Sequence, residues 1–276
     1  MREYHLYRTK FIKPVQLPLL GQDRSSSQIF LDAINDKPEY RSSTGSEWHL
    51  GNVKLFDEYD GFSGSFAVGK TTKTTVEKFD TSTNDFINEL DDSGPYTLAI
   101  FDASIGLLGI AKKSKLSPDV DSISRRIKDL LSTTKVVVDL GIDVRVDIIP
   151  DPEDFIEKLR GAYAIKKFRV TFTGPNPVDA DELFQKPLSV YAQKMGAACG
   201  VLEVVGDALN EDVAESVAKS SAATGNTASA RIIPGRGKKV KNIKMKGEAV
   251  VFSLDESAPI VDAIEQMKLE YKRIKE

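Results

Sequence analysis

The chain has 276 residues, 41% of them hydrophobic and 29% charged, with 38 Lys and Arg against 41 Asp and Glu. This is the composition of a globular protein with a real core, long enough for one large domain or two ordinary ones, and a net charge of −3 supplies no whole-chain attraction to nucleic acid. One cysteine and two histidines exclude an internal disulfide and a Cys/His zinc set.

The N-terminus, MREYHLYRTKFIKP, lacks the apolar segment of a signal peptide, and no stretch reaches the ~20 apolar residues that span a bilayer. A cytoplasmic location is expected. Residues 25–35 predict a short helix with Ile29, Phe30, Ala33 and Ile34 on one face, followed by a polar loop over 35–47. From Trp48 to about Lys112 the pattern is strands and turns, with YTLAIFD and IGLLGIAKK forming a buried hairpin around Ala103 and Ser104. Residues 117–131 predict a helix in which Ser117 is the N-cap, Pro118 takes the first position and Ile123, Ile127 and Leu130 form the apolar stripe.

A boundary is expected near 132–141. It divides an N-terminal β-rich domain (1–135) from a C-terminal mixed α/β domain (136–276), and the fold class is α+β. Beyond Gly141, strands and helices alternate: DVRVDII, PEDFIEKLRGAY, IKKFRVTF, DADELFQKPLSVYAQKMG, VLEVVG, EDVAESVAKSSAATG and ASARIIPG. A hairpin over KNIKMKGEAVVFSL and a last helix from Ser257 complete the chain. Asp151 reads as a helix N-cap with Pro152 at the first position, where the acids of DPEDF suit the helix dipole. Cys199 lies in the small-residue run GAACG and is expected to be packed. Ile260, Ile264, Met267, Tyr271 and Ile274 repeat at intervals of four and three, which suits a helix packed on its own domain or a dimer seam.

Catalytic signatures are few. Gly64–Thr71 satisfies the pattern G-x-x-x-x-G-K-[ST], and a nucleotide site would use Gly64, Gly69, Lys70 and Thr71, with Asp102 for Mg²⁺. The context opposes it. KLFDEYDG is too charged for a central parallel strand, and TTKTTVEKF has too many β-branched residues for the helix that must follow, so a β-hairpin with incidental glycines is the better reading. Neither histidine has a nucleophile elbow, and scattered acids that could serve a metal-dependent nuclease have no diagnostic spacing. No cofactor is expected.

The sharpest feature is a charge run. RIIPGRGKKVKNIKMK, residues 231–246, holds Arg231, Arg236, Lys238, Lys239, Lys241, Lys244 and Lys246 and no acid, so the segment is +7 and the remainder of the chain −10. Alternation places Ile243 and Met245 on one face and Lys244 and Lys246 on the other. Lysines on an edge strand guard against aggregation, but solubilising surfaces usually mix signs. The run therefore points to phosphate contacts, to duplex more than to single strands because few aromatics are interleaved. Lys112, Lys113, Lys115, Arg125 and Arg126 form a candidate second patch, and KKFR at 166–169 is a further basic cluster.

The order DGFSGSFAVGK, an acidic helix NDFINELDDSG, YTLAIFDASIGLLGIAKK and SPDVDSI resembles the RexA-type phage-exclusion proteins of lambdoid prophages. The second half is similar in order: LSVYAQKMGAACGVLEVVGDALNEDVAESVAKS, a basic hairpin, AVVFSLDESAP and a terminal helix. The likeness runs from about Trp48 to the C-terminus and lies in pattern and element order. It implies a DNA-binding homodimer of phage defence acting with a membrane-protein partner, and it carries over no site residues of its own.

Overall fold

The computed structural model describes residues 1–14, 24–43, 45–56, 61–71, 74–91, 93–173, 184–197 and 199–276. It is an α+β protein built on an eight-stranded sheet and a four-stranded sheet, with a two-stranded sheet standing apart. The large sheet contains β1 (Arg2–Ile12), β2 (Glu39–Arg41), β3 (Glu47–Phe56), β4 (Ser63–Thr71), β7 (Tyr96–Asp102), β8 (Leu107–Ala111), β9 (Asp143–Ile148) and β14 (Val251–Leu254). Strand β1 organises it. One side pairs with β8, while the other pairs with β14 over residues 2–5 and with β9 over residues 7–12, all antiparallel. The sheet thus draws β9 and β14 from beyond the boundary expected at 132–141.

Alternation along β1 sends side chains to both faces, and each face is covered. Tyr7 and Phe11 join Phe66, Phe101 and Leu108 beneath three helices: α1 (Ser26–Asn35), α2 (Val120–Ser132) and α3 (Lys135–Asp139). Helix α1 buries Ile29, Phe30, Ala33 and Ile34, the face its periodicity predicts. Helix α2 begins two residues later than expected: Asp119, not Ser117, is the N-cap, and its side chain accepts from the Ser122 amide at 2.6 Å. An acid is the stronger cap here because it also faces the positive end of the helix dipole.

On the opposite face Tyr4, Leu6, Ile100 and Leu107 meet α7 (Ile260–Lys275). The four-three repeat of α7 is used inside the chain, where Ile264, Met267, Tyr271 and Ile274 are all buried. This corrects the dimer-seam reading of that helix and bears out the alternative. The same core continues into the four-stranded sheet, of order β11 (Cys199–Val205), β10 (Ala164–Thr173), β12 (Ala228–Ile233) and β13 (Lys241–Lys244). Its inner face, with Ile165, Phe168, Val170, Ala230, Ile232 and Ile243, packs on α4 (Glu153–Arg160) and α6 (Glu211–Ala223). Helix α6 approaches closely because its buried stripe is Ala214, Ala218 and Ala222. Helix α5 (Gln185–Lys194) starts within the predicted 179–196, whose first residues lie outside the described ones.

Four local expectations are corrected. KNIKMKGEAVVFSL is not a hairpin: β13 pairs with β12 and β14 with β1, so the basic run itself is the hairpin, β12–loop–β13. The acidic segment NDFINELDD is not a helix but strand β6 (Asp85–Asp91), paired with β5 (Thr74–Asp80). Asp80 accepts from the Ser82 amide at 2.8 Å and Asn84 takes a φ of 56°, which together reverse the chain before a helix can begin. Asp151 accepts from the Glu153 amide at 3.0 Å as expected of a cap, but α4 starts at Glu153 with Pro152 as its boundary residue. Cys199 is exposed, not packed, at the start of edge strand β11.

Candidate nucleic-acid interface

The four-stranded sheet has one buried face and one open face, and the pairing register fixes what the open face displays. Val205, Lys167, Arg231 and Asn242 lie side by side in one row across the strands. The next row is Glu203, Arg169, Ser229 and Lys244. On the three strands β10, β12 and β13 the alternate residues Phe168, Ala230 and Ile243 point inward and are buried. Period-two alternation therefore gathers Lys167, Arg169, Arg231 and Lys244 on one surface, around a groove of about 300 Å³.

The β12–β13 loop extends this surface. Gly237, at φ 74°, and the bond from the Lys238 amide to the Gly235 carbonyl (2.9 Å) form its turn. A left-handed φ favours glycine, and the turn holds Arg236, Lys238 and Lys239 exposed at the tip. None of the seven cations of the run makes an ion pair among the described residues, and all seven are exposed. Elsewhere on the sheet Lys167 pairs with Glu203 at 2.7 Å and Lys166 with Asp207 at 3.2 Å. A surface of unpaired cations carries the local positive potential that the whole-chain charge conceals.

The seven do not all point one way. Lys241 aligns with buried Ile232, on the strand face opposite Lys244. Lys246 turns to a cleft of about 380 Å³ shared with Arg125, Asp121, Asp147, Asn226 and Thr227. Its charge contributes to holding the Asp154 carboxyl below its usual range, though the Asp154–Lys158 hydrogen bond contributes most. In this cleft Arg125, a member of the expected second patch, meets the basic run.

Most of the second patch has partners of its own. Lys112 pairs with Glu3 at 3.1 Å, and Lys113 lies 5.0 Å from the centre of the Tyr96 ring. Arg126 pairs with Asp129 at 2.9 Å and sits over the rings of Tyr40 and Trp48. Arg125 donates to the Ser122 hydroxyl at 2.9 Å, and Lys115 is exposed. Lys167 and Arg169, by contrast, join the main surface although the basic run in the sequence does not include them. Alternation within IKKFRVTF is the signal that places them outward.

The nucleotide-binding alternative does not survive the geometry. Gly64–Thr71 lies in strand β4, hydrogen-bonded antiparallel to β3 and β7, and the next described element is strand β5, where a phosphate site needs a helix. The glycines serve strand packing: a Cβ on Gly64 would overlap the Lys54 carbonyl oxygen, and one on Gly69 would lie 2.7 Å from the Tyr96 Cβ. Lys70 extends over the Trp48 ring, and Asp102 pairs with Lys268 at 2.9 Å and accepts from the Ser104 amide.

Two buried cations lie on β1, apart from this surface. Arg8 donates to the Tyr271 hydroxyl at 2.8 Å. Lys10 donates to Asp147 at 2.9 Å and to the Thr173 hydroxyl at 3.1 Å, which ties β1 to the end of β10. Burial pushes the Lys10 amine below its usual range, against the opposing pull of Asp147. Among the described residues no helix is long and apolar enough to cross a membrane. No protein-family model matches the chain, and no curated protein is similar to it at a significant level.

Proposed function

We propose that this chain binds nucleic acid through its backbone phosphates, duplex DNA with little sequence preference, using the open face of the four-stranded sheet and the β12–β13 loop. The observation that supports this reading is the set of unpaired exposed cations of the basic run, continued onto Lys167 and Arg169 by strand alternation. The open face bears no aromatic side chain in either row, so base stacking adds nothing and affinity rests on counterion release. The resemblance to RexA-type proteins sets the proposal in phage exclusion, as a homodimer working with a membrane-protein partner. No reaction is assigned to the chain.

Fluorescence anisotropy with labelled duplex DNA across a salt series tests the reading. If about five phosphates are neutralised, log K falls with log[salt] at a slope near −4.5. A variant carrying Arg231→Gln, Lys238→Gln, Lys239→Gln and Lys244→Gln binds more weakly with a slope shallower by about 3–4. Absence of binding by the unaltered chain at low salt overturns the proposal, as does a variant with the same slope.

A further inference from the structure

Among the described residues, strands β5 and β6 form a hairpin that pairs only with itself. Every side chain from Thr75 to Phe79 and from Thr81 to Leu90 is exposed. An isolated two-stranded hairpin is marginal in water, because it has no third strand or helix to bury a face against. This one nevertheless carries apolar residues suited to burial. Phe86 is 81% exposed and packs edge-on against Phe79 at 5.2 Å, and Leu90, 59% exposed, lies on the same face. Residues 74–91 hold five acids against the single Lys78. Glu77 shares the face of the phenylalanines, while Asp80, Asp85, Glu89 and Asp91 lie on the other face, where Lys78 pairs with Glu89 at 2.8 Å.

A groove of about 560 Å³ at the edge of the four-stranded sheet has the complementary character. Val205 and Val240, 71% and 48% exposed, line it with Lys166, Lys167, Arg231 and Asp207. Lys166 pairs with Asp207 and Lys167 with Glu203, so Arg231 is the lining cation without an ion pair among the described residues. The loop cations Arg236, Lys238 and Lys239 adjoin Val240 along the chain. Within one molecule the arm and the groove do not meet, since the tip of the arm and the groove floor are both exposed.

We propose that the β5–β6 arm of one copy docks in this groove of a second copy, with Phe79 and Phe86 on the valines and the arm's acids against the groove's cations. Charge selects this pairing over its rival. Two arms brought together would oppose a net charge of −4 with −4, and two basic runs would oppose +7 with +7. The contact joins different surfaces, so two copies close a dimer by exchanging arms reciprocally, or, where the geometry forbids that, associate head to tail into a ring or an open chain. Lys167 and Arg231 belong both to this groove and to the phosphate-binding face, so the acidic arm competes with a phosphate backbone for them. The docking itself requires no DNA.

Sedimentation velocity on the full chain, without nucleic acid, tests the proposal. Self-association is expected at about 50 mM NaCl and is weakened at least about tenfold at about 500 mM, as for a contact between exposed charges. An arm variant, Phe79→Ser with Phe86→Ser, and a groove variant, Val205→Asn with Val240→Asn, change only exposed side chains, and circular dichroism confirms that each still folds. Each variant alone is monomeric, and an equimolar mixture forms 1:1 dimers, because one supplies an intact arm and the other an intact groove. The arm variant leaves the whole basic face untouched, so it binds DNA at least as tightly as the unaltered chain does, and the two proposals fail separately. A chain that is monomeric at low salt overturns the docking. So does association lost in the arm variant but kept in the groove variant, which would indicate arm-to-arm pairing, or a mixture that stays monomeric.

Discussion

The β5–β6 and β12–β13 hairpins are both exposed and both strongly charged, yet they differ in what holds them. Along β12, every second residue, Ala228, Ala230 and Ile232, enters a core shared with α6, and the outward residues are free to carry charge. In β5–β6 one face mixes charged and apolar residues, with Glu89 opposite Val76 and Lys78 opposite Ile87, and the other, which carries Phe79, Phe86 and Leu90, is left exposed. The basic hairpin is a fixed platform whose solvent face carries the charge. The acidic one is an arm whose apolar residues have no use within the chain.

The largest test of that contrast sets a phenylalanine from each side by side. Phe168 is buried beside Phe155 of α4, behind the Lys167 and Arg169 row. Phe168→Ala removes the ring from the core that supports the basic platform and lowers unfolding free energy by about 3–5 kcal/mol in urea titrations. Phe86→Ala, measured in high salt, changes it by less than about 0.5 kcal/mol, as at other exposed sites. Equal losses at the two positions would mean that the arm is structurally anchored and that the contrast is false.

The same contrast explains what the sequence made legible. Where one face is buried, periodicity is a direct record of the fold: α1 at its four apolar positions, the β7–β8 hairpin, and alternation through KNIKMK were all readable. The partner of a strand is less so. Val251–Leu254 follows the basic run in sequence, and its pairing with β1, some 250 residues away, leaves no local mark. NDFINELDD was misread because Phe86, Ile87 and Leu90 fit a helical face as well as a strand, and the deciding residues, Asp80 and Asn84, lie in the turn before them. Of the candidate site, the cations were visible in the sequence. Their orientation was not, because whether Arg231 and Lys244 share a face with Lys167 depends on register across three strands.

Buried cations sharpen the comparison from the other side, since Lys10 joins the large sheet to the end of β10 without adding to the basic surface. Its folded pKa lies below the usual 10.5, chiefly through burial, with Arg8 and Arg145 adding repulsion and Asp147 opposing. Between the folded and unfolded pKa the unfolded chain binds more protons, so this group makes stability rise with pH in that window. Below the folded pKa it contributes no slope. In Lys10→Met the slope disappears, so the stability of the unaltered chain relative to the variant increases with pH, by at most about 1.4 kcal/mol per pH unit. Tyr7 holds its proton abnormally high because it is buried and donates to Asp121, and it acts in the opposite sense at high pH. It is common to both proteins and cancels in the difference. A parallel pair of pH curves from chemical denaturation would show that Lys10 does not titrate as a buried group.

The smallest effect concerns the helices behind the platform. Arg160 of α4 forks onto Glu215 of α6, its Nε at 2.7 Å and its Nη2 at 2.5 Å, and Lys219 joins at 2.9 Å. The Arg160 hydrogen bond, then that of Lys219, holds the Glu215 carboxyl below its usual range. Stability from this group is therefore fully present above the unfolded value near 4.5 and is lost as pH falls through the folded one. Because the arginine is half exposed, water screens the pair, and Glu215→Gln lowers the Tm at neutral pH by no more than about 4 °C. The gap between variant and parent closes on acidification and narrows with added salt. A gap that persists unchanged at acid pH would assign the effect to packing of the side chain between α4 and α6, and the support of the basic sheet would then owe nothing to this ion pair.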